Sequence, residues 1–180
     1  MKTIKIFYAI IAACFLVLGS CEKPDYTYTG PSVAEFAPRT TSSTYTSAFS
    51  VTIRQANYVT STDTLEIALN LVGPHLDRDI NLEYALVTDT VKDFPSTTYI
   101  IPPTTGTEGV HFNFVPARTG GANGIVTIPA KSSVGFIKLN SLSAQTAPDV
   151  SKRVVIRLLS TSDLNVNPNF QYFIVTITRL

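Results

Sequence analysis

The chain has 180 residues, of which 15% are charged, and its 14 lysines and arginines nearly balance its 13 aspartates and glutamates. This balance, without a basic stripe, excludes nucleic acid as an expected partner. The low charge and the many serines and threonines favour strands over long surface helices, which need more Glu, Lys, Arg and Ala.

The first 20 residues have the pattern of a secretory signal. Lys2 and Lys5 form a positive start, and the apolar run over residues 6–17 is too short to span a bilayer. Residues 18–21, LGSC, then place small residues before Cys21. This segment resembles the lipobox of bacterial lipoproteins, which implies acylation of the Cys21 thiol and cleavage just before it. An ordinary signal peptide with an incidental cysteine is the alternative.

A lipid on Cys21 would make the membrane a partner of the mature chain, because buried acyl chains hold a protein at a leaflet. Glu22 and Asp25 follow this cysteine, in a pattern similar to the surface-export signals of Bacteroidetes lipoproteins. The resemblance implies a lipid-anchored place on the outer membrane, with the cell surface favoured over the periplasmic face. Cys14 would leave with the signal, so we expect no disulfide and no cysteine-ligated zinc site.

Three regions follow from these boundaries. The cleaved signal covers residues 1–20. Residues 21–32 contain the lipidated cysteine and a tether, since EKPDYTYTGPS carries two prolines and a glycine and no apolar period. One domain is predicted over residues 33–180.

Within that domain, several short stretches alternate apolar and polar residues with period two, which is typical of half-buried strands, and others are short apolar runs between turn signals. They cover residues 48–54, 64–71, 80–86, 110–114, 125–128, 134–139, 154–159 and 172–177. This spacing, with no helical pattern, predicts an all-β fold built as a single antiparallel two-sheet sandwich, and a closed barrel is the alternative.

The connections and the core can also be predicted. Residues 88–109 form a long polar connection with a short edge strand near residues 99–101. The glycines and asparagine of residues 119–124 predict a hairpin turn rather than a phosphate loop, because strand residues follow them. We expect four side chains in the core: Phe112, Phe136, Ile156 and Ile174.

Two segments carry a family resemblance. They are residues 71–80, LVGPHLDRDI, and residues 108–112, EGVHF, followed by VTIPAK at 126–131. Over about residues 48–180 the chain resembles the Calx-beta-like, immunoglobulin-like domains of uncharacterised Bacteroidetes lipoproteins. The resemblance implies the sandwich fold and, through relatives of those lipoproteins, a role in glycan capture. Calx-beta domains in calcium exchangers bind calcium through clustered loop acids, whereas the acids of this chain are scattered.

Asp77 and Asp79 are the one pair of acids that invites a calcium site, because two carboxylates two residues apart on a strand share a face. The alternative is a solvated strand start, and it is favoured because calcium needs six to eight oxygens. His111 and His75 stand apart from other ligand types, so we predict structural or surface roles for them. No metal and no cofactor are expected.

Tyr58 and Tyr99 are the candidate ligand-binding residues. Both lie in polar, loop-like surroundings, and an exposed tyrosine ring can stack on a sugar. The alternative is that they cap the core with their hydroxyls in water. The chain has no tryptophan, which would be the largest stacking platform.

No nucleophile, base and orienting group can be assembled from the motifs, so no catalytic residue and no enzyme activity are predicted. The sequence favours a membrane-anchored lipoprotein with a non-catalytic binding or accessory role, in surface glycan capture or with other envelope proteins. A subunit of a surface fibre or adhesin is the alternative. It rests on Arg39, because some Bacteroidetes pilus proteins are cut after an arginine. A hydrolase ranks last.

Overall fold

A computed structural model describes residues 30–37, 48–55, 64–92, 100–118, 123–142 and 150–179. These residues form twelve strands and one short 3-10 turn at Pro168–Phe170. The strands are β1 (Val33–Phe36), β2 (Ala48–Gln55), β3 (Thr64–Val72), β4 (Ile80–Leu86), β5 (Val91–Lys92), β6 (Ile100–Ile101), β7 (Phe112–Val115), β8 (Gly124–Ile128), β9 (Val134–Ser141), β10 (Ser151–Leu159), β11 (Asn165–Val166) and β12 (Tyr172–Arg179).

Ten of the strands form two five-stranded sheets, which confirms the predicted sandwich. Sheet A has the order β11-β1-β3-β9-β7, and sheet B has the order β2-β12-β10-β4-β8. Most neighbours are antiparallel, as predicted, including the pair β10 and β12. Two neighbours are parallel: β11 beside β1, and β2 beside β12.

The core lies between the sheets because each strand turns its alternate apolar side chains inward. In sheet A, Ile67 and Leu69 of β3 are fully buried, and in sheet B, Leu82 of β4 is too. Phe36 of sheet A meets Phe173 of sheet B with ring centroids 5.3 Å apart. This aromatic pair links the two sheets across the core.

Three of the four predicted core residues are buried and one is not. Phe112 and Ile156 belong to the main core. Ile174 is also buried, but in a separate cluster with Val155. The prediction for Phe136 is wrong, because its side chain is 49% exposed on the outer face of sheet A.

The separate cluster lies on the outer face of sheet B, where the long connection packs. Strands β5 and β6 pair as a small two-stranded sheet, with Val91 opposite Ile101. Ile101 is fully buried in the cluster with Val155 and Ile174. The short strand predicted near residues 99–101 is therefore confirmed at Ile100–Ile101, where it covers sheet B.

Two local predictions are corrected. The strands on either side of the predicted turn at residues 119–124 do not form a hairpin with each other, because β7 pairs with β9 in sheet A whereas β8 pairs with β4 in sheet B. The strand predicted from residue 110 begins at Phe112, since Val110 and His111 belong to a preceding turn. Among the described residues, no helix has the length and apolarity needed to cross a membrane.

Candidate functional site

The outward side chains of β3, β9 and β7 form a surface, called here the sheet A face. Ile137 and Leu139 of β9 point into the core. Because side chains alternate along a strand, Phe136, Lys138 and Asn140 point outward. The sheet A face consists of Thr64, Glu66, Ala68, Asn113, Val115, Phe136, Lys138 and Asn140.

Phe136 is the aromatic group of this face, and its neighbours leave it uncovered. Its register partner on β3 is Ala68, whose methyl group covers little of a ring. On the other side, β7 ends at Val115, which pairs with Lys138 rather than with Phe136. The phenylalanine side chain is therefore 49% exposed on a regular strand.

Charged and amide groups lie beside the ring along the same strands. Lys138 Nζ and Glu66 Oε1 are 2.9 Å apart, with both side chains about half exposed. At the next pair, the Thr64 hydroxyl donates to Asn140 Oδ1 at 2.8 Å. An exposed ion pair contributes little to stability, because solvent screens it. The face thus presents hydrogen-bonding groups next to an apolar ring.

This arrangement suits a ligand with both apolar and hydroxylated faces. An aromatic ring can stack against the C–H groups of a sugar, while amides and charged groups bond its hydroxyls. Strand β9 lies between β3 and β7 in the sheet, so hydrogen bonds on both sides hold the backbone that carries these groups.

A second group of functional side chains lies where β7 leaves sheet A. The Arg118 side chain is only 7% exposed and pairs with Glu108. Its Nε donates to Glu108 Oε2 at 3.0 Å, and its guanidinium lies over the Phe114 ring, 5.1 Å from the centroid. The Tyr84 ring packs against Phe114 with centroids 5.0 Å apart.

Burial raises the pKa of Tyr84 to about 12, with Arg118 opposing the shift and Glu108 adding to it. An unfolded tyrosine ionises near pH 10. Between about pH 10 and 12 the unfolded chain therefore loses this proton while the folded chain keeps it, so the stability that the neutral phenol contributes falls as the pH rises through that window. We expect an absorbance titration of Tyr84→Phe to show one fewer tyrosine among those that ionise at the highest pH. An unchanged number of such tyrosines would contradict the raised pKa of Tyr84.

The structure gives local roles to several residues singled out in the sequence. Asp79 Oδ1 accepts the Ala130 N–H at 2.8 Å, and both Asp77 and Asp79 precede β4 rather than lying on it. His111 Nδ1 accepts the Thr107 N–H at 2.9 Å, which holds the turn before β7. In the described ranges, no three His, Cys, Asp or Glu side chains are grouped closely enough to hold a metal ion.

Four other residues singled out in the sequence, Cys21, Arg39, Tyr58 and Tyr99, lie outside the described residues. Sequence reasoning missed Phe136 as a surface residue. A usable signal was present, because Phe136 shares its strand parity with Lys138 and Asn140. Those two polar side chains identify the outward face of β9.

No protein-family model matches the chain, and no curated protein matches it. Solved structures do. The apo form of the Calx CBD1 domain is 12% identical, with a TM-score of 0.48, and the match covers 84% of this chain and 99% of that domain. A Bacteroides ovatus protein of unknown function is 14% identical over 82% of this chain and 46% of its own, with a TM-score of 0.45.

A third solved structure is a "putative carbohydrate binding protein" from Bacteroides ovatus ATCC 8483. It is 9% identical, with a TM-score of 0.50 over 81% of this chain, and the match spans only 36% of that protein. At this identity the likeness concerns the fold alone. The chain is thus similar in fold to a part of that larger protein.

Proposed function

We propose that the chain is a non-catalytic lipoprotein of the cell envelope that captures glycans on its sheet A face. The observation that carries the proposal is Phe136, a half-exposed aromatic ring on a regular strand with Lys138 and Glu66 beside it. An aromatic ring beside charged and amide groups offers both a stacking surface and hydrogen-bonding partners for a sugar, which supports a binding role. The similarity in fold to the Bacteroides ovatus "putative carbohydrate binding protein" agrees with this function.

A glycan array with residues 22–180, which retain every described strand, tests the proposal. We expect binding to a limited set of glycans, and loss of that binding in Phe136→Ala. Tyr58→Ala and Tyr99→Ala belong in the same experiment, because the sequence names them as stacking candidates. Binding that persists in Phe136→Ala but disappears with either tyrosine would move the site away from the sheet A face. If the wild-type protein binds no glycan on the array, that result would contradict glycan capture.

The proposed anchor is a lipid on Cys21 in the outer membrane. We expect a fatty acid analogue to label the wild-type chain and not Cys21→Ala, because the thiol is the acylated group. Labelling that survives the substitution would contradict the anchor. Protease treatment of intact cells then distinguishes the two possible locations of the protein. Digestion indicates the cell surface, and protection indicates the periplasmic leaflet.

A further inference from the structure

A cleft opens where β7 leaves sheet A and β8 enters sheet B. Its volume is about 350 Å³, which is near the lower end of small-ligand pockets. The cleft adjoins the sheet A face in sequence. Val115 is the last residue of β7 and belongs to that face, and the next residue, Pro116, lines the cleft. The cleft is lined by Tyr84, Pro116, Ala117, Arg118, Asn123, Gly124 and Ile125.

Gly124 shapes the floor of this cleft. It is the register partner of Tyr84 across β4 and β8. A Cβ atom at position 124 would lie 2.1 Å from Tyr84 Cζ and 2.4 Å from its hydroxyl oxygen. The absence of a side chain at this position therefore lets the phenol lie across β8 and reach the cleft.

The cation of the cleft lining is neutralised by its partner, and the Glu83 carboxylate beside Asn123 adds negative charge. The Tyr84 phenol is neutral at physiological pH, so it can both donate and accept a hydrogen bond. Arg118 is the charged side chain of the lining, and Glu108 neutralises it. Asn123 is exposed and donates from Nδ2 to Glu83 Oε2 at 2.9 Å. Pro116 and the 61% exposed Ile125 add apolar surface.

We propose that this cleft binds one neutral pyranose unit of a glycan whose neighbouring units lie on the sheet A face. The inference rests on the proposed function. The neutralised arginine argues against an acidic sugar or a phosphate, because such a ligand would have to compete with Glu108 for the guanidinium. Paired donors and acceptors beside apolar walls match the hydroxyls and C–H faces of an uncharged sugar.

Amide NMR spectra of residues 22–180 test the inference, with methyl glycosides of glucose, galactose and mannose as probes and glucuronate as the acidic comparison. We expect a neutral glycoside to shift the amides of Arg118, Asn123 and Ile125. Tyr84→Phe should weaken that binding about threefold to tenfold, since it removes one hydrogen-bonding group and keeps the ring. Asn123→Ala, at an exposed position, is the second variant and should also weaken it.

The outcomes separate the cleft from the sheet A face. Shifts confined to the amides of β3 and β9 would overturn the cleft and leave glycan capture intact. Tighter binding of glucuronate than of the neutral glycosides would overturn the neutral ligand class. Unchanged affinity in both Tyr84→Phe and Asn123→Ala would also contradict the inference. No shift anywhere with any of these sugars would contradict the cleft, whereas the glycan array decides the proposed function separately.

Discussion

Replacing Phe173 with alanine is expected to lower the free energy of unfolding by about 3–5 kcal/mol, the usual range for a buried phenylalanine. Its side chain is 1% exposed and meets Phe36 across the two sheets. The truncation removes apolar surface from the main core and leaves a cavity that two hydrogen-bonded sheets cannot easily collapse. Urea unfolding of residues 22–180, followed by circular dichroism, measures the change.

Phe136→Ala is the matched control, because it is the same substitution on a strand of the opposite sheet. Its side chain is half exposed, so we expect a loss of less than about 1 kcal/mol. Equal losses for the two variants would show that Phe136 is not a surface residue. Such a result would also remove the basis for binding on the sheet A face.

Phe136→Ala is expected to weaken glycan binding about tenfold or more, although it barely changes stability. Aromatic anchors carry a large share of the free energy at binding surfaces, and each factor of ten corresponds to about 1.4 kcal/mol. The loss should appear mainly as faster dissociation, because the rest of the face remains in place. Titration calorimetry with a glycan identified on the array gives the affinity of each variant.

Two further variants at the same position identify the cause of that loss. Phe136→Tyr keeps a ring, so it should retain most of the affinity. Phe136→Leu keeps an apolar side chain without a ring face, so it should resemble alanine if stacking is the contact. Full binding by the leucine variant would instead indicate simple apolar contact.

The sequence predicts the two-sheet architecture because period two is a local property of each strand. It also predicts the strand pair that contains Ile156 and Ile174. The run of Val154, Val155 and Ile156 is buried throughout, which an apolar run without alternation can indicate. The small sheet of β5 and β6 covers the outer face of sheet B at Val155. Its location depends on contacts between residues that are distant in sequence.

Phe136 shows why the face of a residue is harder to predict than its strand. The segment from Val134 to Ile137 has apolar residues at both parities, so its own pattern allows either face. Gly135 occupies the inward position because a Cβ there would lie 2.9 Å from the Thr127 carbonyl oxygen of β8. Only the polar residues Lys138 and Asn140, further along β9, mark the parity of Phe136 as outward, and the close approach of β8, an edge strand of the other sheet, fits that orientation.

The turn chemistry of residues 119–124 shows the same limit. Glycine and asparagine indicate where a chain reverses, since they tolerate positive φ. They do not indicate whether the flanking strands pair with each other. Here β7 and β8 join different sheets, and the cleft beside Tyr84 is lined by residues that follow β7 and residues at the start of β8.

The most direct measurement of glycan capture is the map of amide NMR shifts when an array-identified glycan is added to residues 22–180. The account predicts that the largest shifts fall on the sheet A face, at Ala68, Phe136 and Lys138, and that they become much smaller in Phe136→Ala at the same glycan concentration. Shifts confined to the outer face of sheet B, with the amides around Phe136 unmoved, would contradict it.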